Sequence, residues 1–330
     1  MAGAIWAIAE VTADGLPTRL SCEAATAARL LAEAAGRAVA ALVVAPDPGP
    51  AAAVLAAFVP RVVAVRSAGD PAALTMATAE AIATLVAREA PDVLLLGATP
   101  DGREVAGILA ARLGLGVLGN ATGIEWSAGD DGAPAGPRVD MSVLGGRALT
   151  RSAFSGGRGI VTLRPGAVAA APAPGAGVVD AAPDAPPPAT PVRVVARADA
   201  AARGVSIEES PIIVAGGRGL GGPEGVALLE ELADAIGGAV AATRAAVDAG
   251  WLPYAVQVGQ TGKTIRPSVY LAVGISGAIQ HRVGMQDAET IIAVNRDPDA
   301  PLVEHADLYV VGDLFAVVPA LTAALRARSS

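Results

Sequence analysis

Ser268-Val269-Tyr270-Leu271-Ala272-Val273-Gly274-Ile275-Ser276-Gly277-Ala278-Ile279-Gln280-His281 reads as a strand, a glycine turn and a helix start in unbroken succession. The apolar run to Val273 predicts a buried strand, and Gly274 and Gly277 permit positive φ and close approach of backbone to a ligand. A helix is predicted from about Ala278. The free N–H groups of its first turn and its dipole would face whatever occupies the turn, which suits an anionic phosphate. Gln280 and His281 add side-chain donors from that same turn. Glycines alone make a structural turn, whereas an adjacent Ser, Gln and His predict a ligand site.

The same alternation extends on both sides. Ile212–Ala215, Ala239–Ala242, Val269–Val273, Ile291–Asn295 and Leu308–Val311 read as strands, with helices at Pro223–Ile236, Ala278–Val283 and Leu314–Arg326. Nearer the amino end, Ala4–Ala9, Ala38–Val44, Arg61–Val65 and Asp92–Gly97 read as strands. Between and after them, helical patterns fall at Ser21–Ala35, Ala51–Phe58, Pro71–Ala90 and Arg103–Leu113. From Ile124 to Leu163 short β-like pieces broken by Gly129-Asp130-Asp131-Gly132, Gly145-Gly146 and Gly156-Gly157 predict hairpins. Between Pro165 and Pro191 an Ala, Pro and Gly composition without periodicity predicts an extended linker or surface strap. Strands alternating with helices imply parallel sheets covered on both faces, with ligands at the carboxyl ends of the strands. The fold class is therefore α/β, with two doubly wound parallel-sheet (Rossmann-like) domains, residues 1–165 and 192–330, joined by 166–191.

A chain of 330 residues with 53% hydrophobic and 17% charged side chains buries two cores, and with 3% aromatic residues those cores are mostly Ala, Val, Leu and Ile. The net charge of −8 argues against a nucleic-acid partner held through phosphate contacts. The single cysteine, Cys22, forms no internal disulfide and suits a reducing compartment. No apolar run reaches the roughly 18 residues of a spanning helix. With no signal-peptide pattern at the start, a soluble cytoplasmic protein is expected, with no membrane insertion. No metal-ligand cluster, nucleophile–base pair or carboxylate pair stands out, so neither a metal nor a catalytic residue is expected.

Two glycine motifs bear on nucleotide chemistry. Gly217-Arg218-Gly219-Leu220-Gly221-Gly222 satisfies G-x-G-x-x-G between a strand and a helix. The acidic residue that would hold a ribose at the end of the next strand is replaced by Thr243-Arg244, which disfavours an ordinary NAD site. Gly259-Gln260-Thr261-Gly262-Lys263-Thr264 lacks the earlier glycine of a Walker A loop, because position 257 is Gln, so nucleoside triphosphate hydrolysis is rejected. Lys263 is expected to be a solvated charge.

Taken with Gly284-Met285, Ile291–Asn295, Asp299-Ala300-Pro301 and Val311–Phe315 downstream, and Gly216–Gly219, Arg244–Asp248 and Val258–Lys263 upstream, the region from about 211 to 319 closely resembles the α subunit of electron-transfer flavoprotein. The resemblance implies that the second domain binds FAD and that the first contacts a β subunit in a heterodimer, with AMP in that partner. It further implies an electron carrier without a substrate site of its own. Such a carrier takes electrons from flavin dehydrogenases, such as the acyl-CoA dehydrogenases of fatty acid β-oxidation, and passes them to a quinone oxidoreductase. Two alternatives stay open: the α subunit of an electron-bifurcating flavoprotein, and a redox-silent adenine-nucleotide-binding module.

By resemblance, Thr261 would bond the flavin N5 and Gln260 the ribityl chain, within a Val258–Thr261 segment assigned to the flavin, with Thr243 in place of a common Ser. Arg244 and His281 would lie beside the ring near its C2 carbonyl and N1 as fixed positive charge; Arg244, Thr261 and His281 would thus tune its redox behaviour. Ser276, Gly277, Ala278 and Ile279 would hold the pyrophosphate, joined by Gln280, with Arg218 as countercharge. Asn295, Asp313 and Leu314 would hold the adenosine. His305 is expected to be structural.

Overall fold

The computed structural model describes residues 3–12, 14–67, 74–129, 134–143, 148–175, 177–185 and 206–329. Contacts divide the chain into two compact units, Met1–Arg197 and Ala198–Ser330.

In the first unit, β1 (Ile5–Ala9), α1 (Arg19–Ala35), β2 (Val39–Ala45), α2 (Gly49–Leu55), β3 (Arg61–Arg66), α3 (Leu74–Glu89), β4 (Val93–Gly97) and α4 (Pro100–Leu113) alternate as expected. They are followed by β5 (Val117–Ser127), β6 (Gly136–Val143), β7 (Ala148–Ala153), β8 (Gly159–Leu163) and β9 (Val178–Ala181). The nine strands form one sheet in the order β7-β6-β5-β8-β4-β1-β2-β3-β9. The strands β8-β4-β1-β2-β3-β9 are parallel, and β5-β6-β7 pair antiparallel at one edge, where hairpins were expected. Their connecting residues 130–133 and 144–147 lie outside the described residues. The helix starts follow local chemistry. The Thr18 hydroxyl accepts from the Ser21 N–H at the start of α1, and Gly36, at φ 62°, ends it. Odd residues of β1 (Ile5, Ala7, Ala9) pack on one face with α1 and α2, while Trp6 and Ile8 pack on the other with α3 and α4.

The segment read as an extended linker or strap proves to be largely part of this unit. Ala173 and Gly177 donate to the carbonyls of Ala57 and Ala56, and β9 adds a parallel edge strand beside β3. Backbone hydrogen bonding to an open sheet edge needs no apolar side chains, so a composition unable to bury a core still joins the sheet. The end of that segment, from Pro186 onward, lies outside the described residues. The division between the units falls after Arg197.

The second unit runs β10 (Ile212–Gly216), α5 (Pro223–Ile236), β11 (Ala239–Ala242), α6 (Arg244–Asp248), β12 (Val269–Val273), α7 (Ile279–Arg282), β13 (Thr290–Asn295), β14 (Leu308–Val311) and α8 (Leu314–Ser329). Its five strands are all parallel in the order β11-β10-β12-β13-β14. The strand order therefore reverses between β10 and β12, and chains leaving those two strands diverge to opposite faces and open a crevice. Val214, Leu271 and Val273 pack under α5 and α8, whereas Ile213, Ala215, Tyr270 and Ala272 face the layer that holds Ile265 and Met285. Among the described residues no helix is long and apolar enough to cross a membrane, and no three His, Cys, Asp or Glu gather to hold a metal ion.

Candidate functional site

A cleft of about 790 Å³ opens over the carboxyl ends of β10, β12 and β13, a volume in the range of small-molecule sites. Of the residues that the resemblance assigned to the cofactor, all but Ile279, Asp313 and Leu314 line it. Ile279 is exposed outside it. The Asp313 carboxylate accepts from the Phe315 N–H at 3.0 Å and so caps the start of α8, and Leu314 lies buried in the core beneath that helix. A lone Asp before a helix forms turns by bonding its own backbone two residues on, and that local demand engages one oxygen of the Asp313 carboxylate.

The turn 274–278 is held from three sides. Gly219 donates to the Gly274 carbonyl (3.0 Å), the Asn295 Nδ2 donates to the Ile275 carbonyl (3.0 Å), and Leu302 donates to the Ser276 carbonyl (3.1 Å). With the carbonyls so engaged, the N–H groups of Ser276, Gly277 and Ala278 have no acceptor among the described residues and stay available to a ligand. Gly277 is needed for a reason other than ligand access. Its φ is +85°, and a Cβ there would meet the Leu302 backbone N at 2.6 Å. The helix that follows, α7, is a single turn of four residues, so the dipole expected of a longer helix is small. Attraction for an anion rests on the free N–H groups and on nearby arginines.

Thr261 sits where its hydroxyl has a defined role. Gln257, almost fully buried, donates Nε2 to the Thr261 Oγ1 at 3.1 Å, and the Tyr254 hydroxyl donates to the Thr261 carbonyl at 2.6 Å. Because Gln257 supplies the donor, the Thr261 proton is left to be given to a group in the cleft. Thr243 Oγ1 is buried without a hydrogen-bond partner, an arrangement that costs about 1–3 kcal/mol unless a ligand completes it. Arg244 is 68% exposed and its Nε pairs with Asp248 at 3.2 Å one helical turn on, which leaves the rest of the guanidinium free at the cleft.

His281 departs from expectation. Read as a positive charge beside the ring, it is instead 6% exposed, with Nδ1 3.0 Å from the Val258 carbonyl and Nε2 2.9 Å from the Tyr270 hydroxyl. A carbonyl can only accept, so Nδ1 carries the proton and Nε2 accepts from Tyr270. Burial lowers the imidazole pKa from 6.5 to about 4, against a smaller opposing effect of the Val258 carbonyl, and pushes the Tyr270 phenol up. His281 is therefore neutral at pH 7, and of the pair read as fixed positive charge only Arg244, which lines the same cleft, carries one. Lys263, expected to be solvated, pairs with Glu208 at 2.8 Å. His305 lies exposed in a short 3-10 segment outside the cleft.

Sequence reasoning missed Asp248, Arg296 and Asp297, all of which line the cleft. The first stands four residues after Arg244, the spacing at which opposite charges meet on one helix face. The other two directly follow Asn295 at the same strand end and were open to the same argument.

Residues 5–188 match the family model described as the electron transfer flavoprotein domain, and residues 206–286 match the electron transfer flavoprotein FAD-binding domain. The chain is 41% identical over 321 residues to the electron transfer flavoprotein subunit alpha of Mycobacterium leprae, covering 96% of each. It is 42% identical over 331 residues to that of Mycobacterium tuberculosis strain H37Rv, again 96% of each, and 38% identical over 253 residues to that of Bacillus subtilis, 72% of each. FAD is thus the cofactor of the second unit, and the cleft suits it. The free N–H groups of the turn match an anionic pyrophosphate, and the unpaired Thr243 Oγ1 and the free Thr261 proton match polar atoms of a flavin nucleotide.

Proposed function

The chain belongs to the electron transfer flavoprotein α-subunit family, and on that premise we propose that it is the FAD-holding half of a heterodimeric electron carrier. In this reading a β subunit carrying AMP packs on residues 1–165. Electrons arrive from flavin dehydrogenases such as acyl-CoA dehydrogenases and leave to a quinone oxidoreductase. Bound FAD supplies a ring able to take up electrons singly or in pairs. The chain's own residues bind and bias it. The turn N–H groups of Ser276, Gly277 and Ala278 hold phosphate oxygens, Asn295 keeps that turn in place through the Ile275 carbonyl, and Thr261 offers its proton to a ring nitrogen. Arg244 favours negative charge on the ring.

The observation that carries this reading is the Gln257-to-Thr261 hydrogen bond in a cleft that Arg244 also lines: adenosine binding alone requires neither a directed hydroxyl proton nor that further cation. Coexpression with the β subunit followed by counting nucleotides in the purified heterodimer tests it. One FAD and one AMP per heterodimer are expected. Two FADs would point to a bifurcating protein, and an adenine nucleotide without flavin would overturn the electron-carrier reading.

A further inference from the structure

The turn after β12 is flanked on both sides by an arginine. In the sheet, β10 and β13 are the two neighbours of β12, and each is followed at its carboxyl end by one: Arg218 after β10 and Arg296 after β13. Both loops are bonded to the turn itself. The Arg218 loop is tied by the Gly217 N–H to the Val273 carbonyl and by the Gly219 N–H to the Gly274 carbonyl, each at 3.0 Å. The Arg296 loop is tied by the Asn295 Nδ2 to the Ile275 carbonyl at 3.0 Å, and the Gly274 N–H donates back to the Val294 carbonyl at 2.9 Å.

The Arg296 backbone is further constrained from both neighbours. The Asn295 Oδ1 accepts from the Asp297 N–H (3.2 Å), and the Tyr309 hydroxyl donates to the Asp297 carbonyl (2.6 Å). The adjacent carboxylate does not pair with Arg296; its Oδ1 accepts from the Asp299 N–H at 3.0 Å. Arg218 and Arg296 are both exposed at the cleft and have no ion-pair partner among the described residues, in contrast to Arg244, which Asp248 engages.

We propose that Arg296 is a second cation for the cofactor's pyrophosphate, facing Arg218 across the turn 274–278. A pyrophosphate presents two charged groups, and two guanidiniums on preorganised loops match them one to each, with forked donors suited to phosphate oxygens. Arg296 is then a determinant of dinucleotide binding, and it touches no redox-tuning residue. This assignment rests on the FAD site proposed above.

The test is titration of the flavin-depleted heterodimer with FAD, with ADP and adenosine as competitors for the same site, for wild type, Arg296→Gln, Arg296→Lys and Arg218→Gln. Loss of a hydrogen bond to a charged group weakens binding by about tenfold to a hundredfold. Arg296→Gln should therefore weaken FAD and ADP by at least about tenfold, leave adenosine within about twofold, and flatten the salt dependence of ADP binding. Arg296→Lys should recover part of the loss, and the absorption spectrum of the bound flavin should not change. If Arg296→Gln binds ADP within about twofold of wild type while Arg218→Gln is weakened, the assignment of Arg296 is wrong and the FAD site stands. Equal losses for ADP and adenosine would also overturn it, since Arg296 would then read the nucleoside. A wild-type heterodimer without affinity for FAD would remove the site and this assignment together.

Discussion

Replacing His281 by Gln separates a buried neutral imidazole from a cation beside the ring. Gln can donate its amide to the Val258 carbonyl and accept from the Tyr270 hydroxyl, so it keeps both hydrogen bonds and loses only the ability to titrate. The folded-state pKa of His281 lies below its unfolded value, 6.5 falling to about 4, through burial. Well above pH 6.5 neither state holds the proton and the group contributes no pH dependence. As pH falls from 6.5 towards 4, the unfolded chain binds the proton and the folded chain does not, so stability drops with falling pH. At about 1.4 kcal/mol per pH unit over that window, the loss approaches about 3 kcal/mol. Urea unfolding at pH 7.5 down to 4.5, followed through exchange protection of the β12 and β13 amides, reads the second unit by itself. Carboxylates titrate in both proteins and cancel in the difference. The stability of wild type relative to His281→Gln should therefore be level above pH 7 and fall steadily below 6.5. A flat difference would mean that His281 is not buried as a neutral base, and a difference rising as pH falls would restore it as a cation.

Arg244→Ala should keep FAD bound and lower the flavin potential. A unit charge about 4 Å away at an effective dielectric near 20 sets a ceiling of roughly 4 kcal/mol, on the order of 170 mV for one electron, and exposure of the guanidinium reduces this to tens of millivolts. Spectroelectrochemical titration checks it, and an unchanged potential would place the charge away from the ring. Thr243→Val removes a buried hydroxyl that lacks a partner. The ligand-free protein should be as stable as wild type or up to about 1 kcal/mol more stable, with FAD bound several-fold more weakly. A destabilised variant with unchanged FAD affinity, seen by thermal unfolding and flavin titration, would show that the hydroxyl has a protein partner.

Nearly all of the second unit was legible along the chain, because its strands are short apolar runs and its ligand loops leave those strands at the same ends. Reading Ser268–His281 as strand, turn and helix start located the cleft, since in an open parallel sheet the place where strand order reverses is also where loops diverge. Within the first unit, β9 escaped notice because an edge strand is made by backbone hydrogen bonds, and the Ala and Pro around Val178–Ala181 carry no side-chain period.

What tertiary structure alone decided is which polar groups remain free. Sequence placed His281 beside the ligand, but only packing put Tyr270 and the Val258 carbonyl on its two nitrogens and desolvated it to neutrality. It nominated Asp313 and Leu314, and packing set what each side chain does at the start of α8: one Asp313 oxygen caps the helix and Leu314 enters the core. It passed over Arg296, which the sheet brings to the same cleft as Arg218 because β10 and β13 both flank β12, a relation between residues 78 positions apart. Residue type, spacing and local turn chemistry are properties of neighbours along the chain. Burial, charge state and the pairing of donors with acceptors depend on groups brought together from distant positions, and these the folded sheet alone supplies.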